Sequence, residues 1–420
     1  MTTNILIAPG VTLRALQTDK FKTGCFSINF LRQHNKKNAP LDAILPAVLL
    51  RGSEKYPDMQ QISSRLDELY GATFGTLVRC KGEAKLFGFY ADFLEDCFVP
   101  HGGIFAGVLE FLEQILYRPY TENGIFSSRY VEGEKRNLTN AIEAAINNKR
   151  GYAVSRLLHH MCPEEDYSVP RLGTVEDVEK ITPETLWEHY QNALRNCSIE
   201  IFYGGRLSPE EVAAAFAPIF AHRQEAVWEK THTEIIHTAG ELKEIAESMN
   251  VTQGKLVMGL RIAIDPSDPQ YVALSLLNTV LGGSMTSKLF LNVREKHSLC
   301  YYASSTFNRY KSIMLISAGI ATENYTVAKD AILAELEACQ KGQITEEELE
   351  SSRTQLLSAL CAAMDAPNRL DDFFVGQALV TTLSIPEQME MIRKLTVDDL
   401  VAVANKLTLD TIYFLKGEEE

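Results

Sequence analysis

The chain has 420 residues, a formal net charge of -14 and 23% charged residues, the make-up of a globular protein of two to four domains. The negative charge argues against nucleic acid, because phosphate binding needs a concentrated basic face that no segment supplies. No apolar run approaches the ~18 residues of a membrane span, and no basic region followed by an apolar block opens the chain, so a cytoplasmic protein without a secretory signal is expected.

In chain order, the first residues read as a strand. Residues 41–57, LDAILPAVLLRGSEKYP, begin as an apolar helix that contains Pro46. A proline inside a helix removes a hydrogen bond and costs about 3 kcal/mol, so the helix either starts or kinks there. Residues 60–70 place Ile62, Leu66, Leu69 and Tyr70 on one helical face, 85–91 alternate as a strand, and 105–116 carry apolar residues at i, i+3, i+4 spacing. His159 and His160 precede Cys162, Glu164 and Glu165, but adjacent helical residues point about 100° apart, and a structural pair is the better reading. His232 and His237 read as linker surface. The eight cysteines form no C-x-x-C pair and read as buried free thiols of a reducing compartment.

Two distant stretches share a plan. Thr182-Pro183-Glu184-Thr185 opens an amphipathic helix followed by a strand over 197–204, and Thr396-Val397-Asp398-Asp399 opens another followed by a strand over 410–417. The two caps lie about half a chain apart, which points to duplication. Ser208-Pro209-Glu210-Glu211 and Thr345-Glu346-Glu347-Glu348 read as capping boxes. In the second half, 288–296 read as helix, 312–320 as strand and 325–336 as helix, repeating the order of the first. The polar stretch 221–249 separates the halves, placed at 1–230 and 231–420. Each half is then α+β, a mostly antiparallel sheet with helices packed on one side.

No G-x-S-x-G, Walker or G-x-G-x-x-G motif occurs in a strand–turn–helix context. Two segments carry a different signal. Val48-Leu49-Leu50-Arg51-Gly52-Ser53-Glu54-Lys55-Tyr56-Pro57 and residues 281–302, LGGSMTSKLFLNVREKHSLCYY, resemble the two signature segments of the pitrilysin/insulinase-type zinc peptidases, the inverzincins. The resemblance covers nearly the whole chain and is nearest to the family's non-catalytic, YmfF-like bacterial subfamily, related to the subunits of mitochondrial processing peptidase.

What the resemblance implies is largely an absence. Its register puts Ala43, Pro46 and Ala47 where the family's H-x-x-E-H supplies two zinc ligands and the base, and Ala141 at the third ligand, seven residues after Glu134. None of the four offers a lone pair or a proton-accepting group. No metal or other cofactor is expected in this chain, and zinc only in an active partner.

The resemblance also implies a retained function. Arg294 and Tyr301 stand at the family's arginine and tyrosine, which hold the substrate backbone and stabilise the developing oxyanion. His297-Ser298 replaces a pair that commonly ends in glycine. Family substrates add a strand to a sheet edge, here Ala72, Thr73, Phe74, Gly75 and Thr76, although the family's asparagine near this position is not kept. The expected function is a non-catalytic subunit that pairs with an active zinc-peptidase homologue and completes its chamber for unstructured peptides. A homodimeric peptide-binding or scaffold protein is the alternative, and an active enzyme with an unrecognised site the least favoured.

Overall fold

The computed structural model describes residues 3–225 and 228–417. Within the expected linker, residues 226 and 227 lie outside the described residues, as do residues 1 and 2 of the expected N-terminal strand. Two compact units result. One comprises Met1–Glu143, Val169–His232 and Ala366–Leu379, the other Ala144–Ser168, Thr233–Asp365 and Val380–Glu420.

The first unit holds a six-stranded sheet built from β1 (Thr3–Ala8), β2 (Val11–Gln17), β3 (Thr23–Gln33), β4 (Thr73–Lys81), β5 (Ala84–Leu94) and β6 (Ser198–Gly205), in the order β1-β2-β6-β3-β5-β4. Only β2 and β6 run parallel. Side chains alternate between the faces. On β3, Phe26, Ile28 and Phe30 enter the core under helices Ala39–Leu49, Ile104–Tyr117 and Pro183–Asn196, which contribute Ile44, Leu112 and Leu186. Cys25, Ser27 and Asn29 alternate with them.

The second unit holds β7 (Lys243–Met249), β8 (Gly254–Ile262), β9 (Cys300–Asn308), β10 (Ile313–Ile320) and β11 (Leu407–Gly417), in the order β9-β10-β8-β11-β7, with β7 and β11 parallel. Apart from β1, the first sheet read from β4 to β2 has the same order, the same chain sequence and the same single parallel pair. The duplication is therefore present in the topology and not only in the helix caps. Leu256, Met258 and Leu260 face a core shared with helix Gln270–Leu281 and helix Tyr325–Gln340.

The two units are not contiguous, and here the division 1–230/231–420 needs correcting. It comes close to the His232/Thr233 junction, but helix Pro367–Gly376 belongs to the first unit and helix Lys149–Met161 to the second. Each follows a long helix, Glu346–Ala363 and Ser128–Ala145 respectively, so they occupy equivalent places in the repeat. Each covers the sheet face opposite the helical layer. In the first unit Phe374 stacks on Phe202 at 5.7 Å between ring centroids. In the second, Leu157 and Met161 pack with Val257, Tyr413 and Leu415, and Gly259 leaves the space that Met161 fills. An amphipathic helix must bury its stripe, but the stripe alone does not name the sheet that receives it.

Candidate functional site

Helix Ala39–Leu49 begins well before Pro46, which lies inside it. Pro46 therefore does not start the helix; it sits there without the N–H that would have bonded back to Asp42. Ala43 and Pro46 are buried, Ala47 is half-buried, and Ala141 is exposed on helix Ser128–Ala145. The only acid of the zinc-type helix, Asp42, is fully buried, accepts from His189 Nε2 at 2.7 Å and faces Arg32 at 3.5 Å.

The surroundings of these four positions are well formed. Glu134 is held by an ion pair with Arg51 and by Asn137 Nδ2 at 3.2 Å. Gly52 starts the turn after the helix, where a β-carbon would stand 2.5 Å from the Pro57 carbonyl oxygen. Tyr130 donates to that oxygen at 2.7 Å. The frame of the family's motif is thus kept as structure, with Glu134 committed to an arginine. The residues present do not fit zinc, because no donor stands at Ala43, Pro46, Ala47 or Ala141. Among the described residues no group of three or more His, Cys, Asp or Glu could hold a metal ion, the His159/His160 neighbourhood included.

Arg294 lies on a segment, Leu289–Lys296, that is wound as a π-helix and not as the expected α-helix. Extra turns of this kind often mark functional segments. Its guanidinium sits 4.5 Å over the Phe290 ring and 3.5 Å from Glu295, half-exposed. The chain then reverses at Ser298, whose φ of +51° is the left-handed conformation that the family's usual glycine adopts without cost. The serine preserves the turn.

Tyr301 follows on β9, an edge strand, where the pairing with β10 slips between Cys300 and Tyr302. The slip leaves Tyr301 unpaired as an extra residue, and a bulge of this kind re-aims a side chain. Tyr301 is 73% exposed, against a buried Cys300 before it. Arg294 and Tyr301 share one unit and no hydrogen bond joins them among the described residues. The charge of Arg294 is felt at Cys300, whose thiol is pushed up to about 11 by burial, with Arg294 pulling the other way.

β4 is the other relevant edge. It starts at Thr73, so Ala72 stands just outside the strand, and it continues past Thr76 to Lys81. Thr73 donates to Asp92 on β5 at 3.3 Å. Further along, Arg79 donates to Asp371 and Asn29, each at 2.7 Å, and Lys81 pairs with Asp372 at 2.7 Å. Asp371 also accepts from Ser27. Between the sheet face and helix Pro367–Gly376 lies a cavity of about 460 Å³, walled by Cys25, Phe26, Tyr90, Asp92, Phe202 and Asp371. Nothing in the linear sequence announces this cavity, because its far wall is a helix almost 300 residues downstream.

Residues 180–356 match the model of the peptidase M16 inactive domain. The chain is 31% identical over 414 residues to a probable inactive metalloprotease, YmfF, of Bacillus subtilis, with 98% of this chain and 96% of that protein covered. A conserved protein from Enterococcus faecalis has a similar crystal structure, with a TM-score of 0.92 and 29% identity, covering 100% of this chain and 99% of that one. A peptidase M16 inactive domain from Pseudomonas fluorescens shares the fold at a TM-score of 0.79 and 18% identity, covering 100% and 98%. With two duplicated halves and a relative that matches it over almost its whole length, the chain belongs to the peptidase M16 family, as an inactive peptidase homologue.

Proposed function

We propose that the chain is a non-catalytic subunit of a two-chain zinc peptidase, pairing with an active homologue and supplying Arg294 and Tyr301 to its site. The observation that carries this reading is the bulge that turns Tyr301 out to solvent, seven residues after an arginine on a π-wound segment, in a chain with no donor group at Ala43, Pro46, Ala47 or Ala141. A phenol 73% exposed, with no hydrogen-bond partner among the described residues, contributes little to folding. Delivered to a zinc-bound peptide, its hydroxyl and the Arg294 guanidinium would stabilise charge that develops on the carbonyl oxygen.

The Thr73–Thr76 end of edge strand β4 and the cavity behind it favour a second element of the same reading, the holding of an extended peptide by main-chain hydrogen bonds, while further along Arg171 donates to the Val78 carbonyl oxygen at 2.8 Å. That element also serves the alternative, a homodimer that binds peptide without cleaving it. The test is cleavage of a quenched unstructured peptide by this protein, by an H-x-x-E-H homologue, and by the two mixed, with metal content determined for each. Activity that rises only on mixing and falls with Arg294→Ala or Tyr301→Phe supports the subunit. Unchanged activity on mixing rejects it in favour of the homodimer.

A further inference from the structure

The cavity beside β4 has features that edge pairing alone does not require. Gly75 faces Tyr90 across the β4–β5 pair, and a β-carbon on Gly75 would stand 2.4 Å from the Tyr90 ring and 2.6 Å from its hydroxyl oxygen. The missing side chain lets the Tyr90 phenol lie over the edge strand's backbone. A strand added to β4 would run about 4.8 Å further out, with every second side chain on the face that carries Leu77, Tyr90 and Asp92. A long side chain from it, passing Tyr90, enters the cavity.

Two carboxylates, Asp92 and Asp371, line that cavity, and Arg79 pairs with the second of them. The Cys25 thiol is pushed up to about 12 by burial, and Asp92, Asp371 and Glu95 all push in the same direction. Asp371 is already engaged by Arg79 and Ser27. Asp92 is different, since among the described residues a single neutral donor, Thr73, reaches it at 3.3 Å. Asp92 is exposed to solvent, and its carboxyl is pushed above the ordinary range by partial loss of hydration first and by the neighbouring Asp371 second, against the Thr73 hydrogen bond.

We infer that this cavity is a side-chain subsite for lysine or arginine, in which a peptide strand paired with β4 places a cationic side chain past Tyr90 onto Asp92. The inference rests on the peptide-holding element proposed above and adds the class of peptide. An ammonium or guanidinium supplies the charged donor that Asp92 lacks, and its aliphatic stem lies along Leu77 and the Tyr90 ring. A glutamate there would meet the Asp92 carboxylate, Asp371 being paired with Arg79, and be disfavoured.

The experiment is fluorescence anisotropy on the full chain with labelled, extended peptides identical except for one central residue, lysine, norleucine or glutamate. A backbone N-methylated copy of the lysine peptide is added. The lysine peptide should bind about tenfold more tightly than the norleucine one, and the glutamate peptide more weakly than either. Asp92→Asn should remove the lysine preference and leave norleucine binding in place. Leu77→Lys, a change at a half-exposed position, should reverse the preference toward glutamate. Equal binding of lysine and norleucine, or a preference unchanged in Asp92→Asn, overturns the subsite and leaves edge pairing intact. Absence of binding by all three, or equal binding of the N-methylated copy, overturns edge pairing and the subsite with it.

Discussion

Arg79 and Asp371, 292 residues apart in sequence, form a 2.7 Å ion pair that ties the edge strand β4 to helix Pro367–Gly376. Asp371 is largely buried and also accepts from Ser27, so its loss leaves an arginine and a serine short of a partner. Asp371→Ala should destabilise the first unit by about 3 kcal/mol, read from the urea midpoint. Amide exchange in residues 367–376 should accelerate more than in β3. A midpoint unchanged from wild type contradicts this role.

The equivalent helix in the second unit is fitted by shape. The sulfur of Met161 lies 2.6 Å and Leu157 Cδ2 2.9 Å from where a β-carbon on Gly259 would stand. Gly259→Val should cost about 2 kcal/mol by overpacking. Met161→Ala in the same chain should recover part of that loss, because the two sites share one space. Strict additivity in a double-mutant cycle would show that the contact is not what sets the cost.

Glu247 on β7 gathers three donors, Tyr152 at 2.6 Å, Tyr413 at 2.7 Å and Arg156 at 3.0 Å. Burial pushes its carboxyl up, but these hydrogen bonds outweigh burial and hold it below its ordinary value of 4.5. A depressed carboxyl binds fewer protons in the folded state, so its stabilisation is complete above 4.5 and is lost as pH falls through the folded value. Wild type should therefore exceed Glu247→Gln in stability at pH 7, and the gap should close under acid. Thermal melts between pH 7 and 3 check this, and a gap independent of pH counts against it.

Arg294 and Tyr301 should behave as functional and not structural groups. Arg294→Ala and Tyr301→Phe should each leave stability within about 0.5 kcal/mol of wild type. In a reconstituted mixture with an active homologue, each should lower turnover by about 10²- to 10³-fold while complex formation persists. Loss of association with turnover per complex unchanged would assign them to the interface instead.

The linear sequence carried the repeat, the capping boxes at Ser208 and Thr345, the N-cap at Thr396, and the absence of any donor group at Ala43, Pro46, Ala47 and Ala141. Each of these is a local statement. A cap needs residues three apart, which Thr345 and Glu348 satisfy within their own turn. A missing ligand is missing in any fold.

Tertiary structure decided the rest, because the information lies in pairings between distant residues. Helices Lys149–Met161 and Pro367–Gly376 have apolar stripes that either sheet could bury. Their placement follows from Gly259 beneath Met161 and from Ser27 and Arg79 around Asp371. The π-wound turn before Tyr301 and the bulge that exposes it follow from how β9 registers on β10. The ion pair of Glu134 with Arg51, 83 residues away, is likewise invisible in the linear sequence. Composition and periodicity constrain which surfaces are buried, but only packing determines which buried surfaces meet, and the cavity at Asp92 exists solely because two such surfaces leave a gap.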